Sequence, residues 1–203
     1  MSDGNKLKIN DSTRLYDGFL KIDCLRLRFR RFDGDWSPEM EREVLVRDPA
    51  VAVLPYDPGR DQVVLIEQFR VGGLVAGQPA WMIEAPAGIV EPGETHEEVA
   101  RRELREESGL EADRLEHIAD IMPSPGGSSE VVRLFAGRVE APAAEGFHGV
   151  ADEGEDIRTL IIPAEEALAR LGVPERTTNA FTLIALQWLA LNRRELRARW
   201  LAT

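Results

Sequence analysis

The chain has 203 residues, and its 25 basic and 36 acidic side chains give a net charge of −11. This balance argues against a general binder of nucleic acid or of anionic membranes, since both select basic surfaces. The single Cys24 cannot form an intrachain disulfide, no apolar run approaches the roughly 20 residues of a membrane span, and the first residues lack the apolar core of a signal peptide. We therefore expect a cytoplasmic protein.

The N-terminal part of the chain predicts extended structure. Residues 1–14 are polar, and we expect them to be frayed or loosely attached. Apolar and polar residues alternate from Tyr16 to Arg31, which is typical of a strand, and the alternation reverses its phase near Cys24, which favours a β-bulge there. A turn at 32–35 leads into a second extended stretch over 36–47.

This small antiparallel β unit, residues 1–48, is too short to bury a core of its own. We therefore expect it to pack against the main domain, residues 49–203, or against a second subunit.

Strands and helices are intermixed in the main domain. Apolar runs at 50–56 and 61–70 predict a hairpin of buried strands. Thr95 and Glu98 form a capping-box pattern at the start of a helix, and Gly109 stands where a left-handed residue would end it. Other predicted elements are strands at 113–122, 130–139 and 156–163 and helices at 164–171 and 179–201, the last with a break near Asn192. The mixture indicates an α/β or α+β sandwich with helices on both faces.

Three glutamates share one face of the predicted helix at 95–107. Glu103, Glu106 and Glu107 are spaced i, i+3 and i+4 and lie within about 100° of arc. Because like charges so placed repel one another, the cluster favours a divalent-cation site, and carboxylate oxygens suit Mg²⁺ or Mn²⁺. The spacing alone is also typical of a solvated acidic surface helix.

The residues around this helix match a complete family signature. The stretch 88–110 reads GIVEPGETHEEVARRELREESGL: Gly88, five residues, Glu94, seven residues, Arg102-Glu103, an aliphatic residue, one residue, Glu106-Glu107, one residue, Gly109 and a second aliphatic residue. In this pattern, the Nudix box, the chain resembles the Nudix hydrolases, and no position departs from it. A match of this length is far more specific than the carboxylate spacing.

The resemblance implies a Nudix α/β/α sandwich preceded by the small N-terminal antiparallel β unit. It also implies Mg²⁺-dependent hydrolysis of a nucleoside diphosphate linked to another group, with two or three Mg²⁺ ions or Mn²⁺ in their place. By this resemblance Glu103, Glu107 and the backbone carbonyl of Ala87 are metal ligands. Glu106 contributes to the same acidic cluster.

The resemblance also implies residues that hold or complete the site. Glu94 and Arg102 would form the ion pair that keeps loop and helix in register. In the acidic loop 152–156, Glu153 would be the general base for the attacking water and Glu155 a further metal ligand, although the sequence alone does not separate these two roles. Without the resemblance, DEGED is typical of a flexible charged turn.

Segments outside the box narrow the resemblance to the ADP-ribose pyrophosphatase branch, from about Tyr16 onward. They are YDGF (16–19), VVLIEQFR (63–70), SPGGSSE (124–130), HGVADEGEDIR (148–158) and IALQWLAL (184–191).

The branch resemblance also implies substrate contacts. Arg70 would fork onto phosphate oxygens, and Glu130 would accept hydrogen bonds from the hydroxyls of the terminal ribose. Phe19 and Arg42 would sandwich the adenine by stacking and cation–π contact. The family's N-terminal strands are exchanged in a homodimer, which agrees with the size of the N-terminal unit.

The expected function is hydrolysis of ADP-ribose to AMP and ribose 5-phosphate. One alternative is GDP-mannose or another nucleoside diphosphate sugar as substrate, since those relatives share the SPGG turn and the EQFR strand. An alternative from another class is a non-catalytic module that senses ADP-ribose, against which the intact box argues.

Overall fold

The computed structural model describes residues 6–150, 152, 154–169 and 178–202. The chain divides into two compact units. The first comprises residues 1–48 and 122–131, and the second comprises residues 49–121 and 132–203.

The first unit contains a three-stranded antiparallel sheet, in the order β1 (Leu7–Asp17), β2 (Lys21–Phe29), β3 (Met40–Val46). The expectation of a frayed segment 1–14 is wrong for its described part, because β1 pairs with β2 from Leu7 onward. A polar segment can still form a strand when backbone hydrogen bonds, rather than a buried face, hold it.

The predicted bulge near Cys24 is also wrong. The register shifts lie on the partner strand, where Asn10 and Leu15 are the extra residues of β1. Both faces of β2 are partly exposed, so a change in the phase of its alternation does not mark a change of core face.

The segment 122–131 joins the first unit through β3. The Leu45 N–H donates to the Gly127 carbonyl at 2.9 Å, and the Ser129 N–H donates to the Leu45 carbonyl at 3.0 Å. These bonds form a parallel bridge between Leu45 and Ser128. The SPGG turn is thereby fixed along the last strand of the small sheet.

The second unit is built on an eight-stranded mixed sheet. Its strands are β4 (Ala50–Asp57), β5 (Gln62–Phe69), β6 (Trp81–Glu84), β7 (Ala87–Ile89), β8 (Arg114–Ile121), β9 (Val132–Arg138), β10 (Phe147–His148) and β11 (Ile157–Pro163). The main order is β10-β11-β5-β4-β9-β8, with β6 beside β5 and β7 beside β4. The central pair β4 and β9 is parallel, and the neighbouring pairs are antiparallel.

Helices cover both faces of this sheet. They are α1 (Val71–Val75), α2 (His96–Ser108), α3 (Ala164–Ala169) and α4 (Ala180–Leu201). Val51 and Val53 of β4 pack with residues of α2, whereas Leu54 and Tyr56 pack with residues of α4. Because successive side chains of a strand point to opposite faces, β4 is buried on both sides. The mixed sandwich predicted from the sequence is therefore confirmed.

The ends of α2 follow the predicted pattern. The Thr95 hydroxyl accepts from the Glu98 N–H, the Glu98 carboxylate accepts from the Thr95 N–H at 2.8 Å, and Gly109 has a φ of 67°. These contacts satisfy backbone groups that the first and last turns leave unpaired.

The break predicted in the last helix is wrong. The α4 helix runs unbroken from Ala180 to Leu201, and the Asn192 side-chain amide donates to the Trp188 carbonyl at 2.8 Å, one turn back. Asn is a poor helix former because its side chain competes with the backbone, but Leu189 and Leu196 on either side of it are buried in the core, and this packing holds the helix. No helix in the described ranges is long and apolar enough to cross a membrane.

Candidate active site

The candidate site lies where β7 and α2 approach each other closely. A Cβ atom on Gly88 would lie 1.8 Å from Oε1 and 2.0 Å from Cδ of Glu103. Only glycine therefore lets this carboxylate lie against the strand.

Two glutamates of α2 turn toward the sheet. Glu103 is 9% exposed and Glu107 is 2% exposed. The Ala87 N–H donates to Oε2 of Glu107 at 2.8 Å. This bond ties the segment just before the Nudix box to the last turn of the box helix.

Arg102 links the glycine-rich loop to the helix. Its Nε donates to Glu94 at 3.1 Å. Its Nη1 donates to Glu103 at 2.7 Å and to Glu106 at 3.1 Å, and its Nη2 donates to the Ile89 carbonyl at 3.2 Å. Burial opposes the charge of Arg102, but the carboxylates around it raise its pKa. In return, the hydrogen bond from Arg102 lowers the pKa of Glu94.

The buried carboxylates of α2 hold their protons unusually tightly. Burial, reinforced by the charges of Glu106 and Glu155 and opposed by Arg102, raises the pKa of Glu103 to about 7. Burial raises the pKa of Glu107 to about 8, and the charges of Glu103 and Glu155 add to this effect. Ionising both carboxylates at once costs free energy, and a bound cation would offset that cost.

The donor set fits a hard divalent cation. Glu103, Glu107 and Glu155 provide carboxylate oxygens within electrostatic reach of one another, as Mg²⁺ and Mn²⁺ prefer. Across the described ranges, no three His, Cys, Asp or Glu side chains already stand in a metal-binding arrangement. Glu103 is turned toward Arg102, and Glu107 toward the Ala87 N–H.

The segment leading into the acidic loop is attached to α2 through the backbone. The Gly149 N–H donates to the Glu106 carbonyl at 3.0 Å. Glu155 closes the loop on itself, because its carboxylate accepts from the Val150 N–H at 3.0 Å. Glu153, predicted as the general base, lies outside the described residues.

Arg70 follows β5 and stands beside the acidic cluster. Its positive charge acts to lower the pKa of Glu107. Its Nε donates to Oε2 of Glu84 at 2.9 Å, and the Glu84 side chain is 3% exposed. Glu84 is not among the residues predicted for the site, although a carboxylate in the otherwise apolar stretch WMIEAP is a signal that could have found it.

Phe19 and Arg42 belong to the first unit and do not meet within one copy of the chain. Phe19, 90% exposed, lies in the β1–β2 turn, and Arg42 is exposed on β3. Arg42 lies opposite Leu25 of β2, whereas Phe19 precedes Lys21, which lies opposite Val46 at the other end of β3. The four-residue separation along the sheet corresponds to roughly 13 Å.

Glu130 also belongs to the first unit, in the segment that follows the SPGG turn. Its carboxylate lies 3.5 Å from Nε of Arg47. The hydroxyl of Ser129 accepts from the Arg47 N–H at 2.9 Å. These contacts fix the end of the segment against the end of β3.

Comparison with known proteins indicates the family of the chain. The NUDIX domain model matches residues 46–181. An ADP-ribose pyrophosphatase of Escherichia coli (strain K12) is 43% identical over 97% of this chain and 93% of its own length. An ADP-ribose pyrophosphatase of Haemophilus influenzae is 37% identical over 96% of this chain and 90% of its own length. A GDP-mannose pyrophosphatase of Enterobacter sp. (strain 638) is 36% identical over 92% of this chain and 96% of its own length.

A solved structure described as an ADP compounds hydrolase has the same fold. Its TM-score is 0.68 at 23% sequence identity, and the match covers 93% of this chain and 97% of that one. The complete Nudix box, the sandwich that buries its helix and the match of the family model lead to one conclusion: the chain belongs to the Nudix family and is a hydrolase.

Proposed function

We propose that this hydrolase cleaves the pyrophosphate bond of ADP-ribose to give AMP and ribose 5-phosphate. The observation that carries the proposal is the acidic face of α2, where Glu103 and Glu107 are buried beside Arg70. Relatives that match almost the whole chain are named ADP-ribose pyrophosphatases, which supports this substrate.

Glu103, Glu107, Glu155 and the Ala87 carbonyl would hold Mg²⁺ ions, or Mn²⁺ in their place, two or three in number. When bound, these ions supply neutralisation of phosphoryl charge and activation of a water molecule. They also explain how a chain with a net charge of −11 accepts an anionic substrate.

The protein's own side chains position the acidic cluster, bind phosphate oxygens and accept a proton at this centre. Arg102 holds Glu103 and Glu106 on the helix and Glu94 on the loop, which keeps the two segments in register. Arg70 offers guanidinium hydrogens to phosphate oxygens. Glu153 accepts the proton of the attacking water as general base.

The N-terminal unit, residues 1–48, contributes dimerisation and base stacking in this proposal, and the main domain, residues 49–203, contributes the chemistry. Phe19 and Arg42 sandwich the adenine, and Glu130 accepts hydrogen bonds from the terminal ribose. Their separation within one copy supports a homodimer with exchanged N-terminal strands, in which each copy supplies one member of a pair. The enzyme acts in the cytoplasm, where a single cysteine stays reduced.

A phosphatase-coupled assay with Mg²⁺ tests the proposed substrate. The panel contains ADP-ribose, GDP-mannose, ADP-glucose, NADH and diadenosine polyphosphates. We expect a clear preference for ADP-ribose that is lost in Glu107→Gln. Tight binding of ADP-ribose without turnover of any compound would instead indicate a sensing module.

A second candidate substrate is GDP-mannose, favoured by the 36% identity to a GDP-mannose pyrophosphatase over 92% of the chain. A base sandwich of Phe19 and Arg42 accepts either purine, because stacking does not select the base. A higher kcat/KM for GDP-mannose than for ADP-ribose would decide for this candidate and keep the same chemistry.

A further inference from the structure

A buried carboxylate outside the Nudix box is not used by the chemistry described above. Glu84 is 2% exposed and ends β6. Burial of an ionised carboxylate is costly unless it is paired and hydrogen-bonded. Its partners therefore indicate its role.

The strand register places Glu84 on the face of the sheet that α2 covers. Glu84 pairs with Ile66 of β5, and cross-strand partners share a face. Val64, two residues before Ile66 on that face, packs with Leu104 of α2. Glu84 thus lies on the same side of the sheet as Glu107, and three residues before Ala87, whose N–H binds Glu107.

Arg70 is the cationic partner of Glu84. The Arg70 Nε donates to Oε2 of Glu84 at 2.9 Å, and the Gln68 amide lies 3.5 Å from the same oxygen. The backbone of Arg70 is held as well, since its N–H donates to the Ala80 carbonyl at 2.6 Å. In the part of the chain that the structure describes, no group binds the two Nη atoms of Arg70.

We propose that Glu84 is a positioning residue, which fixes the guanidinium of Arg70 through Nε and leaves both Nη groups for the oxygens of a diphosphate. A fork held in this way presents two parallel donors, a geometry that a lysine does not reproduce. The inference rests on the proposed function for the identity of the diphosphate, but the hold of Glu84 on Arg70 is independent of it.

Steady-state kinetics with ADP-ribose and Mg²⁺ test the consequence for binding. In Glu84→Gln we expect KM to rise about tenfold while kcat stays within about threefold, because a neutral partner holds the fork less firmly. In an Arg70→Ala background, Glu84→Gln should add no further change, since the two residues act together. An equal, additive rise in KM in both backgrounds would overturn the proposal.

Glu67→Gln is the matched control. It removes the same charge from β5 next to Gln68, where Glu67 pairs with the exposed Arg158, and we expect KM within about twofold of wild type, as for a surface ion pair. Arg70→Lys extends the test should Glu84→Gln fold poorly. A lysine at this position should raise KM at least about tenfold, and unchanged kinetics would contradict the role of the fork.

A spectroscopic measurement separates this proposal from the substrate assignment. In ¹⁵N-arginine-labelled protein, the Nε–H signal of Arg70, identified by its loss in Arg70→Lys, should shift in Glu84→Gln and stay in place in Glu67→Gln. An unchanged signal in Glu84→Gln would overturn the proposal whatever the substrate. If wild type does not turn over ADP-ribose, while the Arg70 signal depends on Glu84 and responds to added ADP, the substrate assignment fails and the positioning role stands.

Discussion

Gly88 is the residue on which the geometry of the acidic cluster depends most directly. An added Cβ would overlap the carboxylate of Glu103, at 1.8 Å from Oε1, so Glu103 would have to move away from the strand. We expect Gly88→Ala to lower kcat/KM for ADP-ribose by about 100-fold, as for ångström-scale misplacement of a catalytic group. Gly72→Ala is the control, because nothing lies within 4 Å of its added Cβ. Equal activity of the two variants would contradict the expectation.

The buried glutamates make stability of the metal-free protein depend on pH. The pKa values of Glu103 and Glu107 rise from 4.5 in the unfolded chain to about 7 and about 8 in the folded protein, first because of burial. Between these limits the folded protein binds more protons than the unfolded chain, so the free energy of unfolding falls as pH rises from about 4.5 to 8. We expect Tm in EDTA to be higher at pH 5 than at pH 8, with a smaller difference in Glu107→Gln.

Added Mg²⁺ provides the second arm of this experiment. A cation bound by ionised carboxylates stabilises the folded state most where protons compete least. We therefore expect Mg²⁺ to raise Tm more at pH 8 than at pH 5, and to have a smaller effect in Glu107→Gln. The same dependence on pH in wild type and variant, with and without Mg²⁺, would show that these carboxylates are not its source.

At the scale of the element, the start of α2 is held by its capping box. Thr95→Ala removes the hydroxyl that accepts from the Glu98 N–H and should lower the free energy of unfolding by about 1 kcal/mol. Urea unfolding measures this change, and Thr95→Ser, which keeps the oxygen, should recover most of it. A loss as large in Thr95→Ser would point to the lost methyl group instead.

How far the sequence predicts an element depends on whether local chemistry defines it. The helix α2 was predictable at both ends, because Thr95, Glu98 and Gly109 act on backbone groups next to them. The strand β1 was not, since its hydrogen bonds come from β2 and its own residues show no buried face. The break predicted near Asn192 does not occur, because core packing of Leu189 and Leu196 holds the helix on both sides of it.

The candidate site also has a part that local sequence predicts and a part that it does not. Glu103, Glu106 and Glu107 lie close together on one helix, so their spacing predicts that they share a face. The pairing of Arg70 with Glu84 depends on the register of β5 against β6, which no local pattern in the sequence specifies. The attachment of the acidic loop was also beyond prediction, because it is made between main-chain atoms of Gly149 and Glu106.

At the scale of the whole molecule, the exposed strand β1 argues for a second copy. All eleven of its residues are exposed, among them the apolar Leu7, Ile9, Leu15 and Tyr16. An edge strand with apolar side chains is a surface that other chains cover. We expect sedimentation equilibrium to give twice the chain mass of 22.7 kDa.

A double variant tests whether the dimer forms through β1. Ile9→Glu with Leu15→Glu adds charge to β1 and should shift the equilibrium toward monomer, because burying unpaired carboxylates in an interface is costly. Asp11→Glu, which keeps the charge on the same strand, should leave the mass unchanged. Wild-type protein that sediments as a monomer at micromolar concentration would exclude the exchanged dimer.

The bond from the Gly149 N–H to the Glu106 carbonyl bears on how this enzyme can diverge. It joins main-chain atoms alone, so side-chain substitutions in the acidic loop, residues 152–156, do not remove it. Its one demand on sequence is at position 149, where a φ of 104° excludes proline and disfavours other side chains. The side chains of the acidic loop can therefore vary while the segment that leads into it stays attached to α2.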